Sequence, residues 1–122
     1  MEDQMPNENI TVEELRQSLA QSPQQFFIID LMSKEDYAGR HIPGAVNIPI
    51  GELESRASEI PRDKTVVAVC EHGLMKSTIG LQRLQQLGFP NAVKLTGGNE
   101  GWFIAKPIDN RIEFLYFARS AR

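Results

Sequence analysis

The sequence contains one cysteine, Cys70, so no internal disulfide can form and no oxidising compartment is implied. Two histidines and that cysteine lack the spacing of a metal-ligand set, so neither a structural metal nor a cofactor is expected. No apolar run approaches the roughly 20 residues needed to cross a membrane. The acidic, polar start from Met1 to Asn9 lacks the basic and apolar regions of a signal peptide. Positive charge is not in excess either. The 13 Lys and Arg residues against 16 Asp and Glu give a net charge of −3, which argues against a general nucleic-acid binder. Internal repeats and low-complexity tracts are absent. These absences imply a cytoplasmic protein with neither nucleic acid nor membrane as a partner.

With 122 residues, 41% hydrophobic and 24% charged, the chain is long enough to bury one core. Its charge is uneven: residues 1–61 hold 11 acids and 4 bases, residues 62–122 hold 5 acids and 9 bases. The second half can therefore present a mildly basic side, attractive to small anions.

Apolar patterning divides the chain into alternating strands and helices. Residues 1–9 read as a disordered lead-in. Thr11-Val12-Glu13-Glu14 fits a capping box that opens a helix, with Ile10 and Leu15 placed as a hydrophobic staple. Phe26 to Ile29, ending at Asp30, is a run suited to a strand buried on both faces. Ser33 caps a short helix, Ile42-Pro43-Gly44 turns, and Ala45 to Ile48 forms a short strand. Glu52 to Ile60 reads as a helix stopped by Pro61. Thr65 to Val69 is the clearest strand, followed by a loop and a helix from Ser77 to Leu87, with Gly88 as its left-handed cap. Ala92 to Leu95 is a further strand, and Gly97-Gly98 leads into a short helix around Trp102. This alternation predicts an α/β fold with a mostly parallel sheet and helices on both faces. Asp109 could cap a helix carrying Ile112, Leu115 and Tyr116, so residues 109–122 read as a helical C-terminal extension.

Ligands of open α/β sheets collect beyond the carboxyl ends of the strands. Cys70 lies at such an end, and Cys70-Glu71-His72-Gly73-Leu74-Met75-Lys76-Ser77 joins it to a helix N-terminus. Inward amides and the positive end of a helix dipole favour a thiolate and a bound anion. Gly73 lets the loop adopt positive φ. Spacing alone leaves Cys70 as either a nucleophile or a small buried hydrophobe.

The sequence resembles the rhodanese-like family over roughly residues 10–108. His41-Ile42-Pro43-Gly44-Ala45-Val46-Asn47-Ile48-Pro49 carries the resemblance almost letter for letter. It is joined by Asp30 at a strand end, the Cys70 loop with Gly73, Leu87-Gly88-Phe89, and Leu95-Thr96-Gly97-Gly98 with Trp102. The resemblance implies a five-stranded, mostly parallel sheet flanked by helices. It also implies a sulfurtransferase in which Cys70 is the catalytic residue and carries sulfur as a persulfide. The partners would be a small anionic donor such as thiosulfate and an acceptor that is cyanide, a thiol or a protein. Glu71, His72, Gly73, Leu74, Met75, Lys76 and Ser77 would line the substrate site. Asp30, Arg40 and His41 would support it.

Three features depart from the family pattern. Lys76 and Ser77 stand one place later than the family's usual Arg-Ser, as does the downstream Gly88-Phe89, so the loop counts seven residues. Loops of that length resemble those of cell-division-type phosphatases and arsenate reductases, an alternative in which Lys76 replaces the arginine fork. Leu74 and Met75 suggest an apolar rim, and Met32 stands where the family often has arginine. A third reading keeps the fold as a non-catalytic binding or regulatory module.

Overall fold

The two most apolar runs form the centre of the sheet. In the computed structural model, which describes residues 8–105, β2 (Phe26–Asp30) and β4 (Thr65–Val69) pair in parallel along their whole length, from Phe26 opposite Thr65 to Asp30 opposite Val69. Three shorter strands complete the sheet: β1 (Asn9–Ile10), β3 (Val46–Asn47) and β5 (Val93–Leu95). The order is β1-β5-β4-β2-β3, with every pairing parallel.

Successive strand residues point to opposite faces, so two cores form. One joins Ile29, Val66 and Ala68 to Leu81 and Leu84 of α3 (Met75–Gln86), and to Leu53 and Ile60. The other joins Ile28, Val67 and Val69 to Leu15 and Leu19 of α1 (Val12–Gln21) and to Trp102 of α4 (Gly98–Ile104). Tyr37 of α2 (Lys34–Gly39) packs against this second core. Each fully buried Leu, Ile or Val contributes about 1.5–3 kcal/mol through the water it sheds.

Local signals set the helix starts. Thr11 and Glu14 close the expected capping box, with Glu14 N donating to Thr11 Oγ1 at 3.0 Å and Thr11 N to Glu14 Oε1 at 2.9 Å. Ser33 caps α2 by accepting from Asp36 N at 3.1 Å.

The structure departs from expectation in three places. Asn9, expected in the lead-in, opens β1, and the carbonyl of the preceding Glu8 accepts from Lys94 N at 2.9 Å. In place of a helix over Glu52 to Ile60, 3-10 turns cover Ile50–Glu52 and Ala57–Glu59. There the Ser55 hydroxyl donates to the Glu52 carbonyl at 3.1 Å, competing with helical bonding. Finally, α3 begins at Met75 instead of Ser77, so the irregular loop is only Cys70 to Leu74. The remaining lead-in (1–7) and the expected C-terminal helix (109–122) lie outside the described residues. Among the described residues, no helix is long and apolar enough to cross a membrane.

Candidate active site

From β2 the chain proceeds to β3, and from the adjacent β4 it proceeds the other way, to β5. The two connections diverge onto opposite faces, which opens a crevice where α/β folds bind ligands. Cys70 stands at that point, directly after β4 and 4% exposed.

The loop is fixed from below. Asn99 N donates to the Cys70 carbonyl at 2.8 Å, and Glu100 N donates to the Glu71 carbonyl at 2.9 Å. These carbonyls are thereby held by the start of α4, and the loop's amides are left to face the thiol. Two glycines permit the close approach. A Cβ on Gly98, at φ +60°, would lie 2.2 Å from the Cys70 carbonyl oxygen. One on Gly73, at φ +73°, would lie 2.6 Å from Gly97 N.

The Cys70 thiol is held below its ordinary value of 9.0. Burial pushes it up, but the Ser77 hydroxyl and the backbone N–H groups of Ser77, Leu74 and Gly73 outweigh that by hydrogen bonding to the thiolate. Ser77 has one hydroxyl proton, and its oxygen also lies 3.3 Å from the Leu74 carbonyl. That carbonyl already accepts from Thr78 N at 3.0 Å and Thr78 Oγ1 at 2.8 Å. The Ser77 proton is therefore free to turn to sulfur without stranding an acceptor.

Asp30 is wholly buried beneath the loop. Its Oδ1 accepts from Met32 N at 2.9 Å, and its Oδ2 accepts from Asn99 Nδ2 at 3.1 Å. Asn99 thus joins Asp30 to the Cys70 carbonyl, while its own Oδ1 has no partner among the described residues. Asn47 Nδ2 donates to the Asp30 and Met32 carbonyls at 3.0 and 2.9 Å. The sequence reading assigned no role to Asn99 and named Asn47 only within a motif. Its one pointer was Asn99's place after the Gly97-Gly98 turn. Nearby, the Tyr37 phenol is raised above its ordinary value, by burial first and then by the charge of Asp30.

The remaining expected residues divide. Arg40 reaches the loop: its Nη2 donates to Glu71 Oε2 at 2.6 Å, and its guanidinium lies 4.9 Å from the centre of the Phe103 ring. His41 is engaged by Tyr37 of α2. It stacks on Tyr37 at 3.7 Å, and its Nδ1 lies 2.7 Å from the Tyr37 carbonyl, so it ties together the α2–β3 connection. His72 Nδ1 lies 2.8 Å from Glu100 Oε1 at the exposed rim. Leu74 and Met75 are 67% and 74% exposed. Lys76 is half-buried in the first turn of α3, without an ion-pair partner among the described residues. A groove of about 380 Å³ opens beside the loop, lined by Met32, Glu35, Asp36, Gly39, Arg40 and Glu71.

The family model described as "Rhodanese-like domain" matches residues 11–105. A sulfurtransferase of Allochromatium vinosum is 34% identical over 80% of this chain and 89% of its own length. The human thiosulfate:glutathione sulfurtransferase is 31% identical over 76% of this chain and 90% of its own length. Among solved structures, a rhodanese-like domain protein from Staphylococcus aureus superposes with a TM-score of 0.71 at 27% identity, covering 78% of this chain and 90% of that one. Other curated relatives are longer, and the chain spans only 49%, 23% and 37% of three of them. The five-stranded parallel sheet, the cysteine loop and these matches agree: the chain belongs to the rhodanese-like domain family.

Proposed function

We propose that the protein is a sulfurtransferase that carries sulfane sulfur on Cys70 as a persulfide, taking it from thiosulfate or a similar donor and passing it to a thiol. The observation that carries this reading is the convergence of the Gly73, Leu74 and Ser77 amides and the Ser77 hydroxyl on a buried thiol held in favour of its thiolate. The Cys70 thiolate attacks the outer sulfur of the donor. A sulfur–sulfur bond forms, the donor's own sulfur–sulfur bond breaks, and sulfite leaves with the electron pair. The same donors then face the terminal sulfur of a persulfide anion, whose charge they stabilise without reorganising. An acceptor thiolate attacks that sulfur, and the Cys70 thiolate departs unchanged. Lys76 and the α3 N-terminus supply positive potential for an anionic donor.

Intact mass measurement of the reduced protein before and after thiosulfate tests the reading. The expected result is a gain of one sulfur atom, removed by cyanide and absent in Cys70→Ser. No gain from thiosulfate or mercaptopyruvate would overturn transfer from these donors. Hydrolysis of an aryl phosphate by the same protein would instead support the phosphatase-like alternative. Absence of both chemistries in a folded protein would support a binding module.

A further inference from the structure

The groove that Glu71, the residue after Cys70, helps to line has one cation on its wall among the described residues, Arg40, and that cation is already paired. Of the six described lining residues, Glu35, Asp36 and Glu71 are acids and Arg40 is the base. Glu71 accepts from Arg40 Nη2 at 2.6 Å. We propose that Glu71 is a specificity-determining residue: it acts as an internal anion on Arg40, so that a small anionic partner of Cys70 gains the guanidinium only by displacing the Glu71 carboxylate. This rests on Cys70 being the working nucleophile and extends that reading to its choice of donor.

Three observations make the exchange feasible. The Arg40 and Glu71 side chains are 44% and 38% exposed, so water screens their attraction and the pair is weak. The Glu71 backbone is pinned through its carbonyl to Glu100 N at 2.9 Å, so its side chain can swing without moving the loop. Arg40 is held independently of Glu71, by its stacking on Phe103 and by its backbone N–H on the Asp36 carbonyl at 3.1 Å. A displaced carboxylate therefore leaves the guanidinium in place with its planar fork available to an oxyanion. Neutral partners gain nothing from the exchange, and cationic ones are favoured by the acids left on the wall.

Paired alkylating probes test this without requiring sulfur transfer. Iodoacetate and iodoacetamide both transfer a carbon to the Cys70 thiolate with loss of iodide, and they differ by one negative charge. Their rate ratio cancels any change in thiolate fraction. Glu71→Gln should raise the iodoacetate to iodoacetamide ratio about fivefold, roughly what a unit charge at close range is worth in water. In an Arg40→Gln background the same substitution should raise it far less, because no guanidinium is released. An unchanged ratio in Glu71→Gln, or an equal gain in both backgrounds, would overturn the proposal and reduce Glu71 to simple repulsion. With thiosulfate, Glu71→Gln should lower KM several-fold and leave kcat nearly constant. Probe ratios that behave as expected in a protein that never forms a persulfide would sink the sulfur-transfer reading and leave the role of Glu71 standing. A persulfide that forms in a protein whose ratio does not move would do the reverse.

Discussion

The floor and the rim of the Cys70 loop are built on opposite principles. Below the cysteine, Asp30, Asn99 and Ser77 are buried, the loop carbonyls are closed by α4 amides, and backbone meets backbone at Gly98 and Gly73. Above it, Leu74 and Met75 stand in solvent, and the charged side chains meet in exposed pairs, Arg40 with Glu71 and His72 with Glu100. Close-packed interiors transmit any change of volume, whereas exposed ion pairs contribute little to stability. The floor therefore fixes where the thiol sits, and the rim can change what reaches it at small cost to the fold.

The comparison breaks most readily at Gly98. In Gly98→Ala the new methyl would sit 2.2 Å from the Cys70 carbonyl oxygen and 2.7 Å from the Glu71 carbonyl carbon, at a φ of +60°. Relief requires backbone movement that sacrifices the bonds from Asn99 and Glu100. The expected loss is about 3 kcal/mol or more in urea denaturation, with slower alkylation of Cys70. A wild-type urea midpoint would mean the floor is soft. Asn99→Ala comes next. It removes the donor to Asp30 Oδ2 and leaves a buried acceptor short of a partner, for a loss of about 1–3 kcal/mol. The orphaned Asn99 Oδ1 disappears with it, which places the result toward the lower end.

What the sequence disclosed follows from the range of each interaction. β2 and β4 were legible because burial on both faces writes a continuous apolar run into a few adjacent residues. The place of Cys70 between a strand and a loop was legible because those segments are contiguous. The bond from Asn99 to Asp30 joins residues 69 positions apart, and no local pattern encodes it. The start of α3 was misplaced for a chemical reason. Leu74 at the N-cap offers no side-chain acceptor, while Ser77, the expected first residue of the helix, sits inside the first turn with its hydroxyl hydrogen-bonded to the Cys70 thiolate. β1 was missed because two residues at a sheet edge are too few to show a period. The charge pairs of Arg56 with Glu52 and Glu59 give Glu52 to Ile60 a helical spacing, but the Ser55 hydroxyl bonds back to the Glu52 carbonyl and the segment settles into 3-10 turns.

Ser77→Ala sharpens the comparison at its boundary, since Ser77 is buried with the floor yet serves the thiolate. Loss of the hydroxyl should move the Cys70 thiol up toward 9.0 and slow iodoacetamide alkylation about three- to tenfold near pH 7. Stability adds a second readout. A thiol whose folded value lies below 9.0 stabilises the fold fully only above 9.0, and that contribution is lost as pH falls through the folded value. Wild type should therefore gain stability over Ser77→Ala as pH rises toward 9.0, and the pH-dependent part of the gap should vanish in acid. A gap independent of pH would show that the hydroxyl serves packing and leaves the thiolate alone.

The smallest effect belongs to the rim. His72 and Glu100 are 58% and 53% exposed, and their contact at 2.8 Å is open to water. His72→Ala should change the urea midpoint by an amount equivalent to less than about 1 kcal/mol and leave the alkylation rate of Cys70 nearly unchanged. The loop keeps its shape because Glu100 anchors it through the backbone bond to the Glu71 carbonyl at 2.9 Å, which no side-chain substitution removes. A loss as large as that of Asn99→Ala would mean that the His72 side chain helps hold the loop, and the division between a rigid floor and a tunable rim would have to be redrawn at that pair.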